Sequence, residues 1–159
     1  MIIMKKKKIL DNQITKNKKA YFDYEILDNW EAWLELRWHE TKSIRNGHVN
    51  LRWAYIIVIS GELYVKWMHV SAWKALPNRE SVETERIRKV FLHKKTVNLL
   101  IWKIKESWFS IIPLELYFVW SLIKLSVWLA KWKKAYQKKQ VLKERTMDKE
   151  AKIAMKKFI

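Results

Sequence analysis

Residues 109–130, FSIIPLELYFVWSLIKLSVWLA, constrain this chain more than any other stretch. They are mostly apolar, and their length suits a membrane-spanning helix, which needs about 20 residues. Three features argue instead for strands. Glu115 and Lys124 lie inside the stretch, and Pro113 interrupts it. Leu114, Leu116 and Phe118, then Leu122, Lys124 and Ser126, alternate with their neighbours as strand residues do. The stretch reads as a β-hairpin turning near Trp120-Ser121.

The flanking segments agree with a β protein. Residues 21–38 are rich in aromatics, alternate around Leu34 and Leu36, and read as one or two strands. Residues 39–47, HETKSIRNG, suit a short helix with Lys42 and Arg45 in its last turn and Gly47 just past its end. LRWAYIIVI and ELYVKWMHV flank Ser60-Gly61 and read as another hairpin. A polar loop covers 74–83. Residues 84–107 carry a helical period, with Ile87, Val90, Phe91, Val97, Leu100, Ile101 and Ile104 largely on one face. Five or six antiparallel strands, two or three helices and a basic tail are expected. A small closed or partly closed β-barrel would remove the exposed edges. The divisions expected are a basic arm over 1–15, a barrel domain over 16–130 and a tail over 131–159.

Charge narrows the partner. The chain has 33 Lys and Arg against 16 acids, formally +17. From Lys131 onward, eleven Lys or Arg face three acids. A polyanion, nucleic acid or an anionic membrane surface, is the natural partner. Basic residues interleaved with aromatics recur at Lys18, Lys19 and Tyr21, at Lys42 and Arg45, at Arg86, Arg88 and Lys89, and at Lys131, Lys133, Lys134, Lys138 and Lys139 around Tyr136. Small barrels bind RNA with this combination, charge tracking the backbone and rings stacking on bases.

Other chemistries lack their residues. There is no Cys, so no disulfide framework. His39, His48, His69 and His93 are scattered, without helical pairing or an acidic cluster, so no metal site is expected. No phosphate-cradling glycine loop and no nucleophile elbow is present. No enzyme activity and no cofactor is expected. MIIMKKKKIL is charged with no apolar run after it, unlike a secretory signal, and a cytosolic monomer is expected.

The order of segments resembles the SsrA-binding protein (SmpB) family, the partner of transfer-messenger RNA in bacterial ribosome rescue. Asn17-Lys18-Lys19-Ala20-Tyr21 with Asp23-Tyr24 resembles the opening signature. Glu31-Ala32, Glu40, Lys42-Ser43-Ile44-Arg45-Asn46-Gly47 and Val49-Asn50-Leu51 resemble the next block. Ala54-Tyr55 and Gly61-Glu62-Leu63 fit the first hairpin. Arg86, Arg88-Lys89, Leu92-His93-Lys94 and Lys103-Ile104-Lys105-Glu106 fit the region that follows. Ile112-Pro113-Leu114, Leu116-Tyr117-Phe118, Leu129-Ala130-Lys131 and Lys133-Lys134 fit the last strands, and Lys143-Glu144-Arg145 the tail. The resemblance implies an oligonucleotide-binding-like barrel that binds the tRNA-like domain of tmRNA. It implies RNA contacts from Asn17, Lys18, Lys19, Glu31, Lys42, Ser43, Arg45, Asn50, Arg86, Arg88, Lys89, His93, Lys131, Lys133 and Lys134. It also implies a tail, disordered when free, that enters the empty decoding centre and mRNA path of the small subunit through Tyr136, Lys138, Lys139, Lys143 and Arg145. The chain departs from the family at Gln137-Lys138-Lys139, where Asp-Lys-Arg is usual, and at Phe22, where His is common. Lysine lacks arginine's planar fork.

A systematic departure concerns tryptophan. Usage of about 7% predicts about eleven glycines; the chain has 2, and 11 tryptophans. Trp33, Trp38, Trp102, Trp108, Trp128 and Trp132 stand where the family pattern has Gly. Trp120 lies at a hairpin turn and Trp67 near a variable Gly position. Trp53 is ambiguous, while Trp30 and Trp73 stand where the family allows an aromatic. Forcing bulk into a packed site costs roughly 1–3 kcal/mol, so six such changes would total on the order of 6–18, against a domain stability of about 5–15. The expectation is a source that reads UGA as glycine, with these six positions being glycine in the native chain.

Two other functions compete with ribosome rescue. One is a peripheral membrane protein using a Trp-rich surface and the basic tail on anionic lipid. The other is a generic nucleic-acid-binding barrel.

Overall fold

The hydrophobic stretch is a hairpin. Strand β8 (Phe109–Val119) pairs with β9 (Leu122–Trp132) from Phe109↔Lys131 to Val119↔Leu122, turning at Trp120-Ser121. The computed structural model describes residues 12–106 and 108–157. Ahead of the hairpin lie β1 (Gln13–Lys16), α1 (Lys18–Asp23), β2 (Tyr24–Leu34), α2 (Trp38–Arg45), β3 (Val49–Asn50), β4 (Tyr55–Ile59), β5 (Glu62–Lys66), β6 (His69–Val70), β7 (Arg88–Phe91) and α3 (Lys94–Lys105). After it comes α4 (Ala135–Lys157).

The main sheet runs β1-β8-β4-β5-β7-β2-β9, and β9 pairs back onto β8. Six strands therefore close a ring, with β1 added on one edge of β8. The expected oligonucleotide-binding-like barrel is borne out. Most rungs of the ring are short; β4 meets β8 through one residue pair, Ile56↔Ile111.

Both faces of β8 and β9 are covered, which is why their sequence is so apolar. Ile111, Leu116, Ile123, Leu125, Val127 and Leu129 enter the barrel core with Ile44, Leu63, Val65, Val90 and Leu100. Ile112, Leu114 and Ala130 face outward under Ala20 of α1. The register shifts between Pro113 and Glu115. This bulge changes the parity, so Ile111 and Leu116 reach the same core, and it accommodates a proline that cannot donate to a ladder. Among the described residues no helix is long and apolar enough to cross a membrane.

The hairpin at Ser60-Gly61 is present, β4 against β5, with positive φ at both turn residues (51° and 77°). That is the signature of a turn whose twist matches its strands. The helix of 39–47 is α2, and Gly47 follows it at φ 77° with its N–H donating to the Ile44 carbonyl at 2.9 Å.

Four features differ from the sequence reading. First, the helix expected over 84–107 begins only at Lys94, and Arg88–Phe91 is strand β7. Arg88 and Val90 turn inward while Ile87 and Phe91 are exposed, so the apparent helical stripe mixed two elements. Second, the strand expected from Tyr21 is preceded by helix α1, capped by the Asn17 Oδ1, which accepts from the Ala20 N–H at 3.0 Å. Third, the arm expected over 1–15 ends in β1, which pairs with Glu115, Leu116 and Tyr117; residues 1–11 lie outside the described residues. Fourth, β9 extends through Trp132, past the expected boundary at 130, and the tail from Ala135 is a helix.

The crowding argument for the six tryptophans fails. Trp33, Trp38, Trp102, Trp108 and Trp132 are exposed, and Trp128 is half-buried on the outer face of β9. Among the described residues, those with positive φ other than glycine are Ser60, Trp67 and Trp120, none of them among the six. No ring at those six positions is forced into the packed core, so the overpacking penalty does not arise.

Candidate nucleic-acid interface

The sequence-predicted cations divide into structural and exposed groups. The structural group centres on Glu40, buried in the first turn of α2. Its Oε1 accepts from Arg88 Nε at 2.9 Å and from Arg86 Nε at 2.9 Å, and its Oε2 accepts from Arg86 Nη2 at 2.7 Å. Its Oε2 also takes the Arg37 backbone N–H at 2.8 Å, as a capping box requires. Arg88 is fully buried and spends its remaining donors on the carbonyls of Met68, Arg86 and Thr84. The structure thus places Arg88, expected at the RNA surface, as a buried ion with its donors turned inward. Ser43 is likewise buried, its Oγ without a partner. Asn17 is buried too: besides capping α1, its Nδ2 donates to the Leu51 carbonyl at 2.7 Å. Neither side chain can present itself to RNA in this arrangement. Arg86 is mostly enclosed by its pair with Glu40.

Burial alone would push the Glu40 carboxyl up. The hydrogen bonds from Arg86 and the Arg37 N–H, with the charge of Arg88, overcome this and hold it below its ordinary 4.5. A depressed folded-state pKa gives stability that is present above 4.5 and lost as pH falls through the lower folded value. Acid titration of the folded protein, followed by circular dichroism, should therefore show a stability plateau above this value and a decline below it. Glu40→Gln should flatten that decline.

The exposed group lies in three places. On α1, Lys18 is exposed, and Lys19 places its Nζ 3.1 Å from the centre of the Trp53 ring. Beside Trp53 runs a shallow groove of about 470 Å³ lined by Asn50, Arg52, Trp53, Trp67, His69 and Glu85. The Asn50 Oδ1 fixes its rim by accepting from the Arg52 N–H at 2.8 Å. Arg52, exposed, is a cation the sequence reading passed over; its place after Asn50 in a turn was the available signal. On α2, Lys42 and Arg45 are exposed, and Arg45 Nη2 reaches the Ser121 carbonyl at 3.0 Å, tying the helix to the β8–β9 turn. Glu31 pairs with Lys124 at 3.1 Å on the barrel wall, and Lys89 with Glu62 at 2.6 Å. His93 is exposed and precedes α3 at its N-cap.

The third place is the tail. Lys131 and Lys134 are exposed; Lys133 donates its Nζ to the Tyr21 carbonyl at 3.1 Å. Lys138 pairs with Asp23 at 2.9 Å and lies 4.0 Å from the centre of the Trp132 ring. The Arg145 guanidinium stands 5.4 Å from the Phe22 ring. These contacts root α4 on α1. Tyr136, Lys139, Lys143 and Arg145 are exposed along it. The arrangement offers exposed charge and rings to an extended anion, and among the described residues no cluster of side chains could hold a metal.

Comparison with known proteins agrees with this architecture. The SmpB protein family profile matches residues 14–157. An SsrA-binding protein of a Nitratiruptor species is 41% identical over 146 residues, covering 91% of this chain and 97% of that protein. One from Geotalea uraniireducens is 39% identical over 143 residues, covering 90% and 94%. A chain of the solved structure described as "tmRNA-SmpB: a journey to the center of the bacterial ribosome" superposes with a TM-score of 0.63 at 32% identity, covering 76% of this chain and 85% of that one. With a barrel of this order, cations along its surface and a match across almost the whole length, the chain belongs to the SmpB family of SsrA-binding proteins.

Proposed function

We propose that this protein binds the tRNA-like domain of tmRNA and delivers it to stalled ribosomes for trans-translation, its tail entering the empty decoding centre and mRNA path. The observation that carries the reading is the separation of two basic features on one chain of this family. The barrel holds Lys18, Lys19, Arg52, Lys42 and Arg45 on its surface, while α4 projects a second run of cations beyond it. One feature suits a folded RNA and the other a channel lined with RNA phosphate. The protein acts as a binding factor, not an enzyme, and works in the cytoplasm, where ribosomes are.

The free tail is only partly helical in this reading. Its helix buries little, its anchors on α1 are Lys138 and Arg145 in its first half, and a helix in a protein gains most of its stability from packing. RNA would supply the missing partner.

Affinity at physiological salt should be compared for a tRNA-like tmRNA fragment, single-stranded DNA and anionic vesicles. Tight binding to the fragment alone is expected. Equal binding to all three would replace rescue with a generic polyanion-binding role.

A further inference from the structure

We propose that the native polypeptide carries glycine, read from UGA codons, at positions 67 and 120, and genuine tryptophan at position 30. The backbone carries this, independently of any functional reading. Trp67 and Trp120 both have φ 58°, in the left-handed region where a Cβ meets the backbone. Single residues visiting this region are mostly Gly, Asn or Asp, whose short side chains lessen the clash, and a bulky ring there is an outlier. Of the three non-glycine residues with positive φ among those described, two are tryptophan.

Neither ring is packed into the core, where burial would offset the strain. Trp120 is 93% exposed at the tip of the β8–β9 hairpin, so its indole packs on nothing that would hold the turn. Trp67 is 50% exposed; it meets the Tyr55 ring edge-on, centroids 5.2 Å apart, and the Lys66 Nζ lies 5.8 Å from its ring centre. Of the other three left-handed positions among the described residues, glycine occupies two, Gly47 and Gly61, each at φ 77°, and the third is the small Ser60 at φ 51°. The two suspect positions thus make the same backbone demand as the chain's two glycines.

Trp30 is the opposite case. It lies in β2 paired with Val127, outside the left-handed region, and packs against the barrel core as Leu34 does. Glycine there would leave a gap against the core and a weak point in the strand. The structure therefore separates these three tryptophans by environment: the two left-handed, at least half-exposed indoles stand for glycine, and the extended, core-packed one is real.

The test reads the source organism's codons at 30, 67 and 120, together with tandem mass spectrometry of the corresponding peptides from its cells. UGA with glycine at 67 and 120, and UGG with tryptophan at 30, is the expected result. UGG or a tryptophan-containing peptide at 67 or 120 overturns it, and so does glycine at 30. A further readout is the melting temperature of the tryptophan-bearing chain. Trp120→Gly should raise it by relieving the turn, while Trp30→Gly should lower it. A fall with Trp120→Gly would overturn the strain argument.

Discussion

Removing residues 135–159 should abolish ribosome rescue while leaving tmRNA affinity within the same order of magnitude. The cut belongs after Lys134, not after Ala130. Lys131 and Trp132 pair with Glu25 and Tyr24 in β2, and the Lys133 N–H donates to the Asp23 carbonyl at 3.0 Å. A cut at 131 would fray the barrel wall beneath α1 and confuse folding with function. A cut at 135 removes α4 while sparing the exposed cations of α1 and α2. Binding would be measured by filter retention of a tRNA-like tmRNA fragment. Rescue would be measured by peptide tagging on ribosomes programmed with an mRNA lacking a stop codon. Equal loss of both would show that the barrel and the tail form one binding surface.

Glu40→Ala should be the most destabilising single substitution in the barrel. It strips the buried Arg88 of its counter-charge and leaves Arg86 the carbonyls of Glu35 and Ile87, and Arg88 those of Met68, Arg86 and Thr84. Breaking a buried pair by removing one partner costs about 3–5 kcal/mol, a large share of the roughly 5–15 that stabilise a domain. The denaturation midpoint should fall accordingly at neutral pH, read by tryptophan fluorescence. Replacing Glu40 and Arg88 together with apolar residues should recover part of the loss, because the desolvation penalty disappears with the charge. A midpoint shift within that of a surface substitution would mean that water reaches Arg88.

The parts of this fold that sequence revealed are those set by local chemistry. Ser60-Gly61 announces a turn with positive φ, and Glu115 and Lys124 reveal strands within an apolar run. The β7–α3 boundary escaped because Leu92-His93 carries neither Gly nor Pro to break the pattern. Helix α1 escaped because Asn17, its cap, stands beside lysines that read only as a basic patch. The candidate site was legible as a set of cations but not as a division among them. A lysine or arginine looks the same in sequence whether it meets solvent or a carboxylate. Arg88 meets Glu40 across 48 positions, and only folding brings them together. Lys18, Lys42 and Arg45 differ from it in nothing the sequence displays.

The ring of strands has one thin seam. Ladders join β8 to β9 and β9 to β2 along most of their length, whereas β4 touches β8 through Ile56 and Ile111 alone. Opening in a closed barrel concentrates where the fewest cross-strand bonds must break together. The β8–β9–β2 wall is therefore the most extensively bonded part of the ring. That wall also bears α1 and the root of the tail, so both rest on the part of the ring that should open last.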